Sequence, residues 1–216
     1  MIIIPSNVNA LNLPKGSIRF PCPSTVIVPT SPSAFNFAAD FTVELWLYPV
    51  NYPGMAVITD FNADAGGFRI YPSTGNLAIR LGGTNYTTSG TTLTQNAWNH
   101  IALTRSGSTV KAFIRGSLVM TQTNSTSIAS GNAIGYINAY QGGSDCGDCY
   151  ISNYRIVNGT AVYTSAFTPP ASPLSAISGT ALLTCQSPTT LVDTSPNAWT
   201  LGSSGSYTIS ATSPFA

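Results

Sequence analysis

The chain is poor in charge. Lysine, arginine, aspartate and glutamate make up 7% of its 216 residues, against about 25% in an average soluble domain. Glu44 is the only glutamate, Lys15 and Lys111 are the only lysines, and His100 is the only histidine. So few long charged side chains leave little to clothe the exposed faces of helices, which argues against a coiled coil or helical bundle. A formal net charge of +1 gives no general attraction to nucleic acid or to an anionic membrane. No apolar run reaches the roughly 18 residues that span a bilayer as a helix, so membrane insertion is not expected. Met1-Ile2-Ile3-Ile4-Pro5 lacks a basic flank and is cut short by Pro5, so it does not read as a secretory signal.

What is present points to β structure. The chain is 43% hydrophobic, which argues against disorder, and it carries 10 Tyr, 9 Phe, 19 Gly and 15 Pro. Residues 1–16 read as an arm with little structure, and 17–216 as a single sandwich domain. Phe41 to Tyr48 (FTVELWLY) is the clearest strand. Phe41, Val43, Leu45 and Leu47 face one way, and Thr42, Glu44, Trp46 and Tyr48 the other. Trp98 to Arg105 (WNHIALTR) is the second, with Ser106-Gly107-Ser108 turning into Thr109 to Ile114. Further strands are read at Ser17–Phe20, Ser24–Val28, Ala56–Asp60, Phe68–Tyr71, Asn76–Leu81, Ser117–Thr121, Ala133–Ile137, Tyr150–Val157, Ala181–Cys185 and Ser206–Ser210. Turn signals recur about every ten residues, the spacing of a two-sheet antiparallel sandwich. The Pro- and Ser-rich stretch Phe167 to Ser178 reads as a surface loop returning to the same sandwich.

Three segments carry a resemblance. FTVELWLYP, WNHIALTR with the hairpin VKAFIRG, and YISNYRIVNGTAVYTSAFTPP resemble the laminin-G-like, concanavalin A-like jelly-roll domains. SIRFPCPSTVIVPTSPSAFNFAADFTVE is similar to the first strands of that domain, with Pro21-Cys22-Pro23 in place of the usual Asp/Gly turn. The tail, LLTCQSPTTLVDTSPNAWTLGSSGSYTISATSPF, resembles the closing segment of a subset common in bacteriophage structural proteins, marine phages above all. The resemblance implies an all-β, two-sheet antiparallel sandwich. It also implies a non-enzymatic structural protein on the virion surface, a capsid decoration or tail-appended protein. Its partners would be other virion proteins in multiple copies, assembled in the host cytoplasm. Met1 lies about 16 residues before the domain, so the module is read as the whole protein. The alternative is a lectin-like module that binds a host-surface glycan. A glycan hydrolase is a third and weaker reading, because the Glu-x-Asp-x-x-Glu cluster of the jelly-roll glucanases cannot be built with one glutamate.

Candidate sites follow. Glu44 should be a structural carboxylate paired with Arg105 or Arg155, and His100 reads as structural. Many members of this family hold Ca²⁺ at the sandwich rim, and Asp145 and Asp148 in one Gly-rich loop are the candidate ligands, with Asp60, Asn62 and Asp64 second. Tyr140 and Trp199 are candidate sugar-stacking aromatics beside loops. Ile2, Ile3 and Ile4 form an apolar arm suited to docking on a neighbour. Among the cysteines, one Cys-x-x-Cys pair falls short of a four-cysteine zinc site. The first and last strong strands of such a domain are neighbours, so Cys22–Cys185 and Cys146–Cys149 are the disulfide candidates, with buried free thiols as the alternative.

Overall fold

The computed structural model describes residues 14–29, 34–51, 57–129, 134–140 and 145–215. The proposed docking residues Ile2, Ile3 and Ile4 lie outside them. The strands in the first half are β1 (Ser17–Phe20), β2 (Thr25–Val28), β3 (Asn36–Phe37), β4 (Phe41–Asn51), β5 (Thr59–Phe61), β6 (Phe68–Ser73), β7 (Asn76–Leu81) and β8 (Thr84–Thr87). Those in the second half are β9 (Asn99–Ser106), β10 (Thr109–Ile114), β11 (Ser117–Thr123), β12 (Ile128–Ala129), β13 (Gly135–Ile137), β14 (Asp148–Asn158), β15 (Thr180–Thr184), β16 (Gly202–Ser204) and β17 (Thr208–Ser210). A single turn of 3-10 helix, Ala63–Ala65, separates β5 from β6.

Two large antiparallel sheets form the sandwich. One runs β11-β10-β9-β4-β14-β1-β17, with β15 also paired to β14; the other runs β16-β2-β13-β5-β6-β7-β8. The centre of the first sheet is β4 between β9 and β14. There Leu45 lies opposite Ile101, and Leu47 opposite Ile151. The alternation read in FTVELWLY is real: Phe41, Val43, Leu45 and Leu47 are buried in the core, packed with Ile101, Leu103, Ile151 and Ile156. Phe61 and Phe68 come from the second sheet and Phe37 from a small β3–β12 pair, with Phe61 stacked on Phe68 at 5.1 Å. Tiny strands such as β3, β8, β12 and β16 were not foreseen. Two to four residues are too few to show a period, and their partners fix them: β8 pairs β7 through the Gly82-Gly83 turn.

The outward face of the first sheet is also buried. Residues 159–179 cross it as a strap, which is why Thr42 and Glu44 are as inaccessible as their apolar neighbours. The strap is tied by hydrogen bonds and rings. Thr42 Oγ1 donates to the Thr160 carbonyl (2.8 Å) and accepts from Val162 N–H (2.9 Å). Tyr163 stacks on Phe167 at 3.7 Å, and Phe167 meets Phe113 edge-on. Phe167 N–H donates to the Gly116 carbonyl, and a Cβ on Gly116 would collide with the Phe167 carbonyl, so this crossing requires glycine.

The disulfide differs from both expected pairings. Cys22 is bonded to Cys146, while Cys149 and Cys185 are free and buried. The register of β14 explains this. β1 and β15 share one edge of β14 end to end: Phe20 lies opposite Cys149, and Thr184 opposite Tyr154. Cys22 therefore leaves the far end of β1, away from Cys185 and beside the residues that lead into β14. Cys149 turns inward instead, its thiol donating to Asn138 Oδ1 at 3.2 Å. Burial raises both free thiols, Cys185 to about 12, so neither is a thiolate near neutral pH.

Candidate functional site

Two constellations join a carboxylate, an arginine and a tyrosine. The first lies under the strap. Glu44 Oε1 accepts from Arg155 Nε (2.9 Å) and Nη2 (2.5 Å), a two-pronged contact. Glu44 Oε2 accepts from Tyr163 Oη (2.8 Å) and pairs with His100 Nε2 (3.1 Å). Arg155 Nη1 continues to the Ser175 carbonyl (2.7 Å), so the cluster latches two points of the strap. Burial pushes the Glu44 carboxyl up, but the His100 hydrogen bond and the Arg155 charge outweigh it, leaving it below the ordinary glutamate range. Glu44 and His100 are fully buried and Arg155 nearly so, and only Tyr163 is partly exposed, so the carboxylate at the centre of the group is out of reach of a ligand and its role is structural. Of the two partners expected for Glu44, Arg155 is the one it meets. Arg105 instead donates to the carbonyls of Phe37, Ala39 and Thr126.

The second constellation lies in an open cleft of about 350 Å³ lined by Val57, Asp64, Arg69, Tyr71, Tyr140 and Asp145. Asp64 sits in the 3-10 turn, Arg69 and Tyr71 project from one face of β6, Tyr140 follows β13, and Asp145 precedes β14. The turn is shaped locally. Asn62 is left-handed (φ 55°), Asp60 Oδ1 accepts from Ala63 N–H (3.0 Å), and Gly67 passes so close to the Phe61 carbonyl that no Cβ fits. Asp64 Oδ2 accepts from Tyr140 Oη (2.6 Å) and Arg69 Nη2 (2.8 Å), while Arg80 Nε approaches Oδ1 at 3.4 Å. Arg69 Nη2 also reaches Asp60 Oδ2 (3.2 Å), and its guanidinium lies 4.3 Å from the Tyr140 ring centre. The Tyr140 hydrogen bond, then Arg69, hold the Asp64 carboxyl below its ordinary range, and the same Asp64 contact raises the Tyr140 phenol. Tyr140 is therefore fixed in place with one ring face against Arg69.

The two proposed sugar-stacking aromatics fare differently. Tyr140 is at the cleft. Trp199 is not among its lining residues: its indole N–H donates to the Ala181 carbonyl (2.9 Å), and its ring packs beside Phe35. The two aspartates of the Gly-rich loop also part company. Asp145 lines the cleft, whereas Asp148 is ion-paired with Arg19 of β1. Ca²⁺ takes six to eight oxygens, and among the described residues no group of three or more acidic, histidine or cysteine side chains gathers to hold an ion. The Asp64 carboxylate is already engaged by Tyr140 and Arg69 on Oδ2 and approached by Arg80 on Oδ1, and these two cations beside it suit a carboxylate of the protein better than a Ca²⁺ cage. Arg69, Tyr71 and Arg80 were missed in the sequence. The Arg69–Tyr71 spacing on one strand face was the one visible signal, but its link to Tyr140 is tertiary. The hollow between Leu47, Pro49, Ile58 and Cys149 holds only about 10 Å³, room for about one water, and a second open cleft, of about 210 Å³, is lined by Thr104, Lys111 and Tyr163.

With this geometry in place the chain can be classed. It belongs to the concanavalin A-like lectin/glucanases superfamily, whose sequence profile matches residues 24–173. A search of curated proteins gives no match. Solved structures share the fold at low identity. A candidate carbohydrate-binding protein of Bacteroides ovatus superposes with a TM-score of 0.70 at 17% identity, over 91% of this chain and 60% of that one. The native heptameric SAP-like pentraxin of Limulus polyphemus gives 0.62 at 13% identity, over 93% and 97% of the two chains. Domains LG4-5 of the mouse laminin alpha1 chain give 0.52 at 11% identity, over 71% and 45%. The chain thus spans less than two thirds of the Bacteroides protein. The fold expectation and the laminin-G resemblance both stand.

Proposed function

We propose that this chain is a non-enzymatic, lectin-like module that binds a glycan in the cleft around Tyr140. The observation that carries the reading is the Tyr140 ring, clamped at an open cleft by Asp64 through its hydroxyl and by Arg69 on one face. A ring held this way offers its other face to the apolar C–H face of a sugar without losing rotamer freedom on binding. Asp145 and the Tyr71 hydroxyl supply polar groups for sugar hydroxyls, the mixture expected of a small-ligand site. Superfamily membership supports the reading, as does the likeness to the Bacteroides ovatus structure. Hydrolysis is disfavoured by chemistry. A glycosidase needs a carboxylic acid with a raised pKa, and Asp64 is shifted the other way.

Display on a phage particle, on capsid or tail, remains part of the proposal and rests on the resemblance of the closing segment alone. The glycan-binding role is the one the fold neighbours support. A glycan array probed with the wild-type chain and Tyr140→Ala tests it. We expect a discrete set of glycans retained by the wild type and lost in the variant. An array with no signal, or a variant with an unchanged profile, overturns the assignment to this cleft.

A further inference from the structure

The charge balance of the cleft carries its selectivity one step further, on the premise that it is the glycan site. Among the described residues, the charged groups that line it or form ion pairs with its lining are the carboxylates of Asp60, Asp64 and Asp145 and the guanidiniums of Arg69 and Arg80. Three against two leaves one net negative charge. The distribution matters more than the sum. Arg69 is the cation lining the cleft, and its Nη2 is divided between Asp60 and Asp64 while its face lies on Tyr140. Arg80 turns to Asp64 and the Ala63 carbonyl. Asp145 is exposed, and no ion pair or hydrogen bond from the described residues engages its carboxylate. An incoming acidic sugar would therefore meet cations already engaged by protein carboxylates and one carboxylate that is not.

We infer that the cleft is selective for uncharged and amino saccharides and rejects those bearing carboxylate or sulfate. An aromatic face and an acceptor carboxylate suit a neutral sugar, whose hydroxyls donate to Asp145, and an ammonium suits them better still. A sialylated, uronic or sulfated residue brings a like charge to Asp145, and opposed charges of one sign are a recognised means of excluding wrong ligands. The penalty is electrostatic, so it must shrink as salt screens it.

The test uses the full chain against matched glycans that differ only in charge: a neutral oligosaccharide, its de-N-acetylated amino form, and its sialylated and sulfated forms. Affinities are measured at low ionic strength and at about 0.5 M salt. The acidic forms should bind at least tenfold more weakly at low salt, with the gap narrowing in high salt. Asp145→Asn, an exposed and isosteric change, removes an acceptor for the neutral form as well, so it is read as a ratio: the acidic-to-neutral affinity gap should narrow at low salt whatever the loss in neutral binding. Acidic forms that bind as tightly as neutral ones, or a gap unmoved by Asp145→Asn, overturn the selectivity while leaving glycan binding intact. Failure of every form to bind, charged or not, removes the glycan-binding reading itself and this inference with it.

Discussion

The chain assembles nearly the same side chains twice, to opposite ends. Under the strap, Glu44, Arg155 and Tyr163 meet with His100 around a fully buried carboxylate. At the cleft, Asp64, Arg69 and Tyr140 meet with Arg80 beside open solvent. The Glu44 side chain is 0% exposed and that of Asp64 is 38% exposed. Chemistry of the groups does not separate the structural role from the proposed binding role; access does. Buried, such a cluster must be complete, because any member removed leaves a charge or donor stranded. At the surface, the same contacts are screened and contribute little to stability, and they serve to hold an aromatic ring in one orientation.

The largest effect should come from the buried cluster. Glu44→Gln leaves the Arg155 guanidinium buried beside a neutral amide, and should cost about 3–5 kcal/mol in denaturant unfolding. Tyr163→Phe removes one hydrogen bond to a charged acceptor and should cost about 1.5–3 kcal/mol by the same measurement. At the cleft the order inverts. Asp64→Asn should change stability by under about 1 kcal/mol, yet release Tyr140 and Arg69 and weaken the best neutral glycan about tenfold, near 1.4 kcal/mol. A large loss of stability in that variant would show that the cleft, too, is structural.

Acid sharpens the contrast. The folded Glu44 carboxyl lies below its unfolded value, so its stabilisation is present above the ordinary glutamate range, near 4.3, and is lost as pH falls through the folded value. Denaturant midpoints of the wild type should therefore fall below about pH 4. Glu44→Gln should be weaker at neutral pH and should show a shallower fall.

How much of this was legible in the residues depends on the range of the interaction that decides each feature. The inward face of β4 was readable because apolar residues repeat at every second position in FTVELWLY, and Glu44 was readable as a carboxylate on a sheet paired with Arg105 or Arg155, a choice that the register of β4 with β14 settles. The strap's aromatic contacts were not, since Tyr163 and Phe167 follow no period and are placed by Phe113 and His100 across the sheet. Tyr140 was marked as an aromatic beside a loop, but its partner Asp64 lies 76 residues earlier. Trp199 looked equivalent, and only its indole bond to Ala181 shows it to be anchored. The cysteines depended on which half of β14 each neighbour strand covers. The smallest predicted effect follows from them: peptide mapping of the native chain should find Cys22 linked to Cys146, with Cys149 and Cys185 alkylated only after unfolding. A Cys22–Cys185 peptide would contradict the register of β1 and β15.

The most direct measurement is an amide and indole NMR titration of the chain with the strongest neutral glycan from the array. The account predicts shifts confined to residues around Asp64, Arg69, Tyr71, Tyr140 and Asp145, with the Trp199 indole unmoved. Shifts centred elsewhere, such as the cleft of Thr104, Lys111 and Tyr163, with Tyr140 silent, would contradict it.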